Sequence, residues 1–342
     1  MWKRHDNNPL FQETTMKRIN VAAWVLSAVA AIYVPAVAAE GFPQKDIQFV
    51  IPWNAGGSND IAARQLQKIV ADQSGVSLIV ENVPGATGSI GMTKVARAAP
   101  DGYMVGMGTS STLAQISQKL TTLTNDQFVP IARVSVDPLM LLVPANSGPQ
   151  DLKAFLAHVK DNPGKVSIGT PGSHNLNHIF AQMTARAAQA PYINVPYTGG
   201  AKVIADLAGK QISAAVLKPS ESKPQIDAGN VKPIALFANE RLAIMPDVPT
   251  FKELGYDVFP YGPLVQMAYI VAPAKTPEPV RTKLIELFSK AIESDQFKTF
   301  ADRNGVIISP LKGDDLTREI NAVQKTLDSA SEKVFNKAED KK

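Results

Sequence analysis

The stretch Ile51-Pro52-Trp53-Asn54-Ala55-Gly56-Gly57-Ser58-Asn59-Asp60 joins a short apolar run to an amphipathic one. Residues 47–51 predict a buried strand, and residues 60–71 carry apolar side chains at helical spacing. The two glycines between them let the backbone turn sharply and bring N–H groups close to a ligand. The first turn of the helix has unpaired N–H donors and a partial positive charge, which favours an anion. An ordinary strand-to-helix turn capped by Ser58 or Asp60 fits the same residues.

Short apolar runs continue to alternate with longer amphipathic ones, which is the pattern of an α/β fold with mainly parallel sheets and helices on both faces. About 300 residues follow the leader, which is more than a single hydrophobic core usually contains, so two domains are expected. We predict that the apolar extended runs 138–143 and 267–272 cross between two lobes. Lobe 1 is then 40–140 plus 270–342, lobe 2 is 141–269, and the ligand cleft lies between them, where small ligands prefer to bind. The predicted strands are 47–51, 78–80, 103–107, 166–169, 193–195, 212–217 and 233–237.

Residues 1–39 have the composition of a secretory signal peptide. The segment is basic at Lys17 and Arg18, apolar over 21–34, and ends on small residues. An apolar run of about 14 residues is shorter than the roughly 20 that cross a membrane. We therefore predict a cleaved leader and a periplasmic protein. Met16 is an alternative start, because an ordinary signal peptide begins with such a Met-Lys-Arg sequence.

The charge balance and the lack of cysteine exclude several classes of protein. The sequence has 35 basic and 31 acidic side chains, and 31 and 29 remain after residue 39. With this balance and no long basic run, the sequence does not predict the positively charged surface that binds nucleic acid. Without cysteine there is no disulfide, no thiolate metal site and no lipoprotein anchor. We expect a monomer that needs no cofactor or metal.

Two further glycine-containing loops, 169–178 and 195–200, also follow predicted strands and precede predicted helices. The second adds the hydroxyl of Tyr197. Three such loops in two lobes are expected to converge on one carboxylated solute, although each alone is weak support.

A series of short motifs extends in order along nearly the whole chain after the leader. Together they resemble the Bug family, the substrate-binding receptors of tripartite tricarboxylate transporters. The matching motifs are Phe42-Pro43-x-Lys45, Ile51-Pro52-Trp53-x-Ala55-Gly56-Gly57-x-x-Asp60, Glu81-Asn82-Val83-Pro84-Gly85-Ala86-x-Gly88, Pro100-Asp101-Gly102-Tyr103, Asn162-Pro163-Gly164-Lys165, Val195-Pro196-Tyr197-x-Gly199, Arg241 with Met245-Pro246-Asp247-Val248-Pro249-Thr250, and Ala272-Pro273-x-x-Thr276-Pro277.

The resemblance implies a type II periplasmic-binding-protein fold whose lobes close on a small organic acid, and no catalytic activity. It also implies delivery of the acid to a membrane permease of the tripartite tricarboxylate type. Backbone N–H groups and ordered water would hold much of the anion. The residues that the resemblance assigns to ligand binding are Trp53, Asn54, Gly56, Gly57, Asp60, Ser110, Ser111, Thr112, Thr170, Gly172, Ser173, His174, Asn175, His178, Tyr197 and Thr198.

Several positions depart from the family pattern. Trp53 stands where phenylalanine is common, and His174 and Asn175 stand where the family tends to have glycine and then serine or threonine. The family's frequent aspartate in a following strand is missing, because Ala214-Ala215-Val216 occupies that region, with Lys218 just beyond it. Because several of these positions lie among the expected ligand contacts, the resemblance implies a class of ligand, an organic acid, rather than one particular acid.

Two other functions compete with that of a transport receptor. His174 and His178 lie four residues apart, so they could share a helical face as the zinc pair of a hydrolase, but Asn175 stands where such an enzyme has its glutamate. A ligand-loaded receptor that signals to a membrane sensor also fits the sequence. Titration of His178 is expected to make ligand affinity sensitive to pH between about 6 and 7.

Overall fold

The computed structural model describes residues 41–262 and 264–335. The predicted signal peptide and the alternative start at Met16 lie outside these residues. The strands are β1 Ile47–Ile51, β2 Leu78–Asn82, β3 Met104–Thr109, β4 Phe128–Val136, β5 Leu139–Pro144, β6 Ser167–Thr170, β7 Ile193–Pro196, β8 Ala214–Leu217, β9 Val231–Phe237 and β10 Met267–Pro273. The helices are α1 Ser58–Ser74, α2 Ser89–Ala96, α3 Ser110–Ser117, α4 Leu152–Asp161, α5 Leu176–Ala188, α6 Gly200–Ala208, α7 Pro219–Asp227, α8 Glu278–Ile292, α9 Asp295–Asn304 and α10 Gly313–Phe335.

The strands form two five-stranded sheets. The first sheet has the order β2-β1-β3-β10-β4, in which β1 pairs in parallel with β2 and β3, and β10 is antiparallel to both of its neighbours. The second sheet has the order β7-β6-β8-β5-β9, in which β6 pairs in parallel with β7 and β8, and β5 is antiparallel to β8 and β9. The fold is α/β as predicted, but the sheets are mixed rather than mainly parallel.

The two apolar runs that were predicted to cross between lobes are themselves sheet strands. The run 138–143 forms most of β5 and pairs on both sides within the second sheet, while 267–272 forms most of β10 within the first sheet. A strand that is buried on both faces of a sheet is apolar throughout. A buried connector between two lobes has the same composition, so the sequence does not distinguish the two. The chain passes from the first sheet to the second at Asp137-Pro138 and returns within 238–266. The proposed lobe boundaries, after 140 and before 270, each fall inside one of these strands, and the division into lobes remains a prediction.

Aromatic side chains fill the layer between each sheet and its helices. Phe49 of β1 packs against Phe288 of α8, with ring centroids 5.8 Å apart. In the second sheet, Phe237 stacks on Phe180 and on Phe251 at 4.6 and 4.4 Å. These buried rings fix the helices on the sheets, so the loops at the strand ends are held by rigid elements. None of the helices in the described part of the chain is long and apolar enough to span a membrane.

The last helix, α10, contacts both halves of the molecule. Arg133 of β4 is buried and forms a 3.0 Å ion pair with Glu319 of α10. Near the end of the same helix, the Arg186 guanidinium of α5 donates to the carbonyl oxygen of Lys333 at 2.7 Å. This helix, which the sequence assigns to lobe 1, therefore contacts both β4 of the first sheet and α5, which packs on the second.

Candidate functional site

The loop between β1 and α1 is held in shape by one buried carboxylate. Asp60 accepts hydrogen bonds from the Gly56 N–H at 2.9 Å and from Asn82 Nδ2 at 3.0 Å, and it pairs with Arg64 at 3.0 Å. Burial alone would raise the pKa of Asp60, but the hydrogen bonds from Arg64, Gly56 and Asn82 lower it below its ordinary value. Asp60, which the sequence predicted as a ligand contact, thus fixes the shape of the loop and also lines the cavity described below.

The two glycines of this loop have different roles. Gly56 has a φ of +81°, which a residue with a side chain rarely adopts, so the turn requires glycine there. Gly57 has a φ of −79°, and a Cβ at this position would lie 3.5 Å from its nearest neighbour, the Asn54 carbonyl oxygen. The backbone at Gly57 therefore accepts a side chain, and glycine is needed there only if something approaches the start of α1.

Loops of the two sheets meet at a hydrogen bond. Asn54 Nδ2, from the β1–α1 loop, donates to Thr198 Oγ1 at 2.7 Å. Gly199 and Gly200 follow at the start of α6, whose N-terminus has no side-chain cap. A Cβ at Gly200 would lie 2.5 Å from the Glu221 carboxyl oxygen Oε1, so any side chain here would displace the buried Glu221 side chain. The uncapped starts of α1 and α6, one beside each sheet, thus lie at one cavity.

This cavity has a volume of about 150 Å³, enough for several waters or a small organic molecule. Residues predicted for ligand binding that line it are Trp53, Asn54, Gly57, Asp60 and Ser111. It is also lined by residues that the sequence did not single out as ligand contacts: Ala55, Ser58, Asn59, Pro171, Asn177, Gly199, Gly200, Ala201, Lys202, Lys218, Glu221 and Gln266.

Other residues predicted for binding have partners in the protein and do not line this cavity. Ser110 is in the first turn of α3 and bonds Val265 and Met267, next to β10. Asn175 caps α5 by accepting from the His178 N–H at 2.9 Å. Tyr197 donates its hydroxyl to Asp206 at 2.9 Å. Also away from the cavity lining are Gly56, Thr112, Thr170, Gly172, Ser173 and Thr198. Their role in ligand binding stays a prediction.

The two histidines lie against the last helix. His174 has a φ of +53° and precedes α5, so it does not share a helical face with His178 as the zinc hypothesis required. Its N–H donates to His178 Nδ1 at 3.0 Å, and both rings pack against Phe335 at about 5 Å. Burial, reinforced by His174, lowers the pKa of His178 to about 4. Within 41–262 and 264–335, no group of three or more His, Asp or Glu side chains is placed to hold a metal.

A buried lysine lines the cavity from the second sheet. Lys218 directly follows β8 and is 4% exposed. Its ammonium donates to Asn59 Oδ1 at 3.3 Å and lies 3.8 Å from Asp137 Oδ2. Glu221, one turn along α7, accepts from the Lys218 backbone N–H at 3.1 Å, and burial raises the pKa of this carboxyl. The cavity therefore contains charged groups as well as backbone donors.

Position at the end of a strand is the signal that could have identified Lys218. A charged residue directly after the apolar run of β8 stands at the carboxyl edge of a sheet, where ligands of open α/β sheets bind. Gln266 likewise adjoins the apolar run of β10, on the side facing α3. Asn177 lies inside an amphipathic helix, and no spacing in the sequence marks it.

The two mixed sheets, with a polar cavity lined by loops from both, have the architecture of a two-lobed substrate-binding receptor. The chain matches the tripartite tricarboxylate transporter family receptor, TctC, over residues 62–329. It belongs to this family, and the resemblance read from the motifs is confirmed.

Relatives match over most of their length. A UPF0065 protein of Bordetella pertussis is 30% identical over 293 residues, which cover 85% of this chain and 88% of that protein. The periplasmic binding protein BugD is 27% identical with a TM-score of 0.77, over 86% of this chain and 98% of that one. MatC from Rhodopseudomonas palustris, solved with bound malate, is 25% identical with a TM-score of 0.78, over 85% and 100% of the two chains. The predicted periplasmic-binding-protein fold is confirmed by these neighbours.

Proposed function

We propose that this protein is a periplasmic receptor that binds a small organic carboxylate between its lobes and delivers it to a tripartite tricarboxylate-type permease. One observation carries the proposal: the uncapped starts of α1 and α6 line the same cavity, although the helices belong to different sheets. Each supplies N–H donors that favour an anion. A carboxylate that binds both brings the two halves together.

Membership of the family supports delivery to a membrane transporter, and malate bound to MatC supports a carboxylate ligand. The ligand would act by population shift, because only the closed arrangement offers it donors from both sides. The side chains at the cavity add hydrogen-bond donors and acceptors, which set the identity of the acid.

Binding is tested by thermal shift and then calorimetry on the purified protein. The panel contains mono-, di- and tricarboxylates, aromatic acids and amino acids, with zinc and a chelator as controls. A large shift with one group of organic acids supports the proposal. A shift with zinc and with no acid would contradict it.

Delivery is tested in a strain that lacks the gene. Loss of uptake of the bound acid, restored by the intact gene, supports transport. Loss of gene induction by that acid while uptake continues would instead assign the receptor to a membrane sensor.

A further inference from the structure

The Lys218 ammonium has unused hydrogen-bonding capacity at the cavity. It carries three N–H donors, and its one hydrogen bond among the described residues is to Asn59 at 3.3 Å, near the long limit for such a bond. Asp137 lies beyond hydrogen-bond distance at 3.8 Å, and its Oδ2 already accepts from Ser135 at 2.7 Å. The ammonium is therefore neutralised in charge but poorly satisfied in hydrogen bonds.

A buried lysine in this condition is costly to the fold. Removing an ammonium from water costs several kcal/mol, which only good geometry to its partners offsets. The side chain of Lys218 is 6% exposed, and that of Asp137 is 2% exposed. Because neither partner is at ideal distance, stability alone does not account for a charged residue here.

Neighbouring groups at the cavity complete a place for an anion. Gln266 accepts from Ser111 Oγ at 3.4 Å through its carbonyl oxygen, and its amide nitrogen has no hydrogen bond within the described residues. Glu221 is the group that would repel an anion, but its burial raises the pKa of the carboxyl and so weakens that repulsion. Asp60, the other lining carboxylate, is neutralised by Arg64.

We propose that Lys218 and Gln266 form a second anion subsite that binds the far anionic group of the ligand and so selects diacids over monoacids. This inference rests on the proposed function, which places the first carboxylate at the starts of α1 and α6. The ammonium supplies a charge-assisted hydrogen bond from the second sheet, and the Gln266 amide supplies a neutral one from beside the first. A ligand with an uncharged far end offers the ammonium only a weaker, neutral acceptor or none.

The test compares succinate, glutarate and adipate with their monoamides by calorimetry on the intact protein. The monoamides keep the shape of the diacids and remove one charge. We expect at least one diacid to bind on the order of tenfold to a hundredfold more tightly than its monoamide, the range for a hydrogen bond to a charged group.

The variant Lys218→Met with Asp137→Asn removes both members of the buried ion pair together, so that Asp137 is not left as an unpaired carboxylate. It should lose the preference for the diacid while it still binds the monoamide. Lys223→Met with Asp227→Asn is the matched control, because it removes a lysine–aspartate pair, 2.8 Å apart, that does not line the cavity. Circular dichroism melting shows whether each variant folds.

The outcomes separate the two proposals. An unchanged diacid preference in the folded Lys218 variant overturns the subsite and leaves the receptor function intact. Equal binding of diacid and monoamide by the unmodified protein has the same meaning. Failure of the unmodified protein to bind any carboxylate, including those of the wider panel, overturns the proposed function and the subsite with it.

Discussion

Replacing His178 should remove a loss of stability that the protein suffers in mild acid. The ring is 7% exposed, its Nδ1 accepts from the His174 N–H, and it packs on Phe335. Burial first, and repulsion from His174 second, lower its pKa from 6.5 to about 4. The folded protein therefore keeps this histidine neutral at pH values where an unfolded chain protonates it.

The sign follows from proton binding. Well above pH 6.5 neither state protonates the ring, so His178 adds no pH dependence there. As the pH falls from 6.5 towards 4, the unfolded state takes up a proton and the folded state does not, so the free energy of unfolding decreases. Since one pKa unit corresponds to about 1.4 kcal/mol, the loss reaches about 2 to 3 kcal/mol by about pH 4.5.

The assay is urea unfolding of the intact protein and of His178→Asn at several pH values between about 4.5 and 7.5. Asparagine keeps an oxygen near the position of Nδ1 that can accept from His174, and it does not titrate. Groups away from His178 contribute equally to both proteins, so the difference between their slopes isolates His178 together with its repulsion of His174. His158→Asn, which replaces an exposed histidine of α4, is the matched control. Parallel pH profiles for the intact protein and His178→Asn would refute the reasoning.

Three further changes follow from the cleft. Gly57→Val should leave the melting temperature nearly unchanged, because φ at this position is −79° and a Cβ there would lie 3.5 Å from its nearest neighbour. It should weaken carboxylate binding by more than about tenfold, because the new side chain blocks the start of α1. Full affinity in calorimetry would contradict this prediction. Gly200→Ala should destabilise the fold by about 1 to 3 kcal/mol in urea unfolding, because the new Cβ meets Glu221 Oε1 at 2.5 Å; an unchanged midpoint would count against the contact. Tyr197→Phe should leave ligand affinity unchanged, because the hydroxyl donates to Asp206 rather than into the cavity; a marked loss in calorimetry would return Tyr197 to the site.

The elements with strong hydrophobic periodicity were predictable from sequence, and the polar ones were not. The strand 47–51 and the helix over 60–71 correspond to β1 and to most of α1. By contrast, β4 was missed, because Arg133 and Ser135 interrupt its apolar pattern. Arg133 is buried there because Glu319 and Ser309 satisfy it, and those partners lie far along the chain. Tertiary pairing of this kind has no local signature.

The site shows the same limit. The glycine loop was predicted because its function depends on local backbone chemistry, which a few adjacent residues determine. Ser110 was expected to face the ligand, but it starts α3, a helix that its Ser-Ser-Thr opening does not favour. The expected titration of His178 near pH 6 to 7 is also removed by burial, which depends on Phe335 at the other end of the chain. Burial and distant partners decide these roles.

The strength of the contacts between the two halves sets what a ligand must contribute. The hydrogen bond from Asn54 to Thr198 is exposed to solvent. The side-chain amides of Gln115 and Gln118 both donate to the His174 carbonyl oxygen at 2.7 Å. Each hydrogen bond of this type is worth about 1 kcal/mol net, because water replaces it on opening. A ligand that gains about 3 kcal/mol more from the closed form than from an open one shifts the ratio of closed to open forms by more than about a hundredfold.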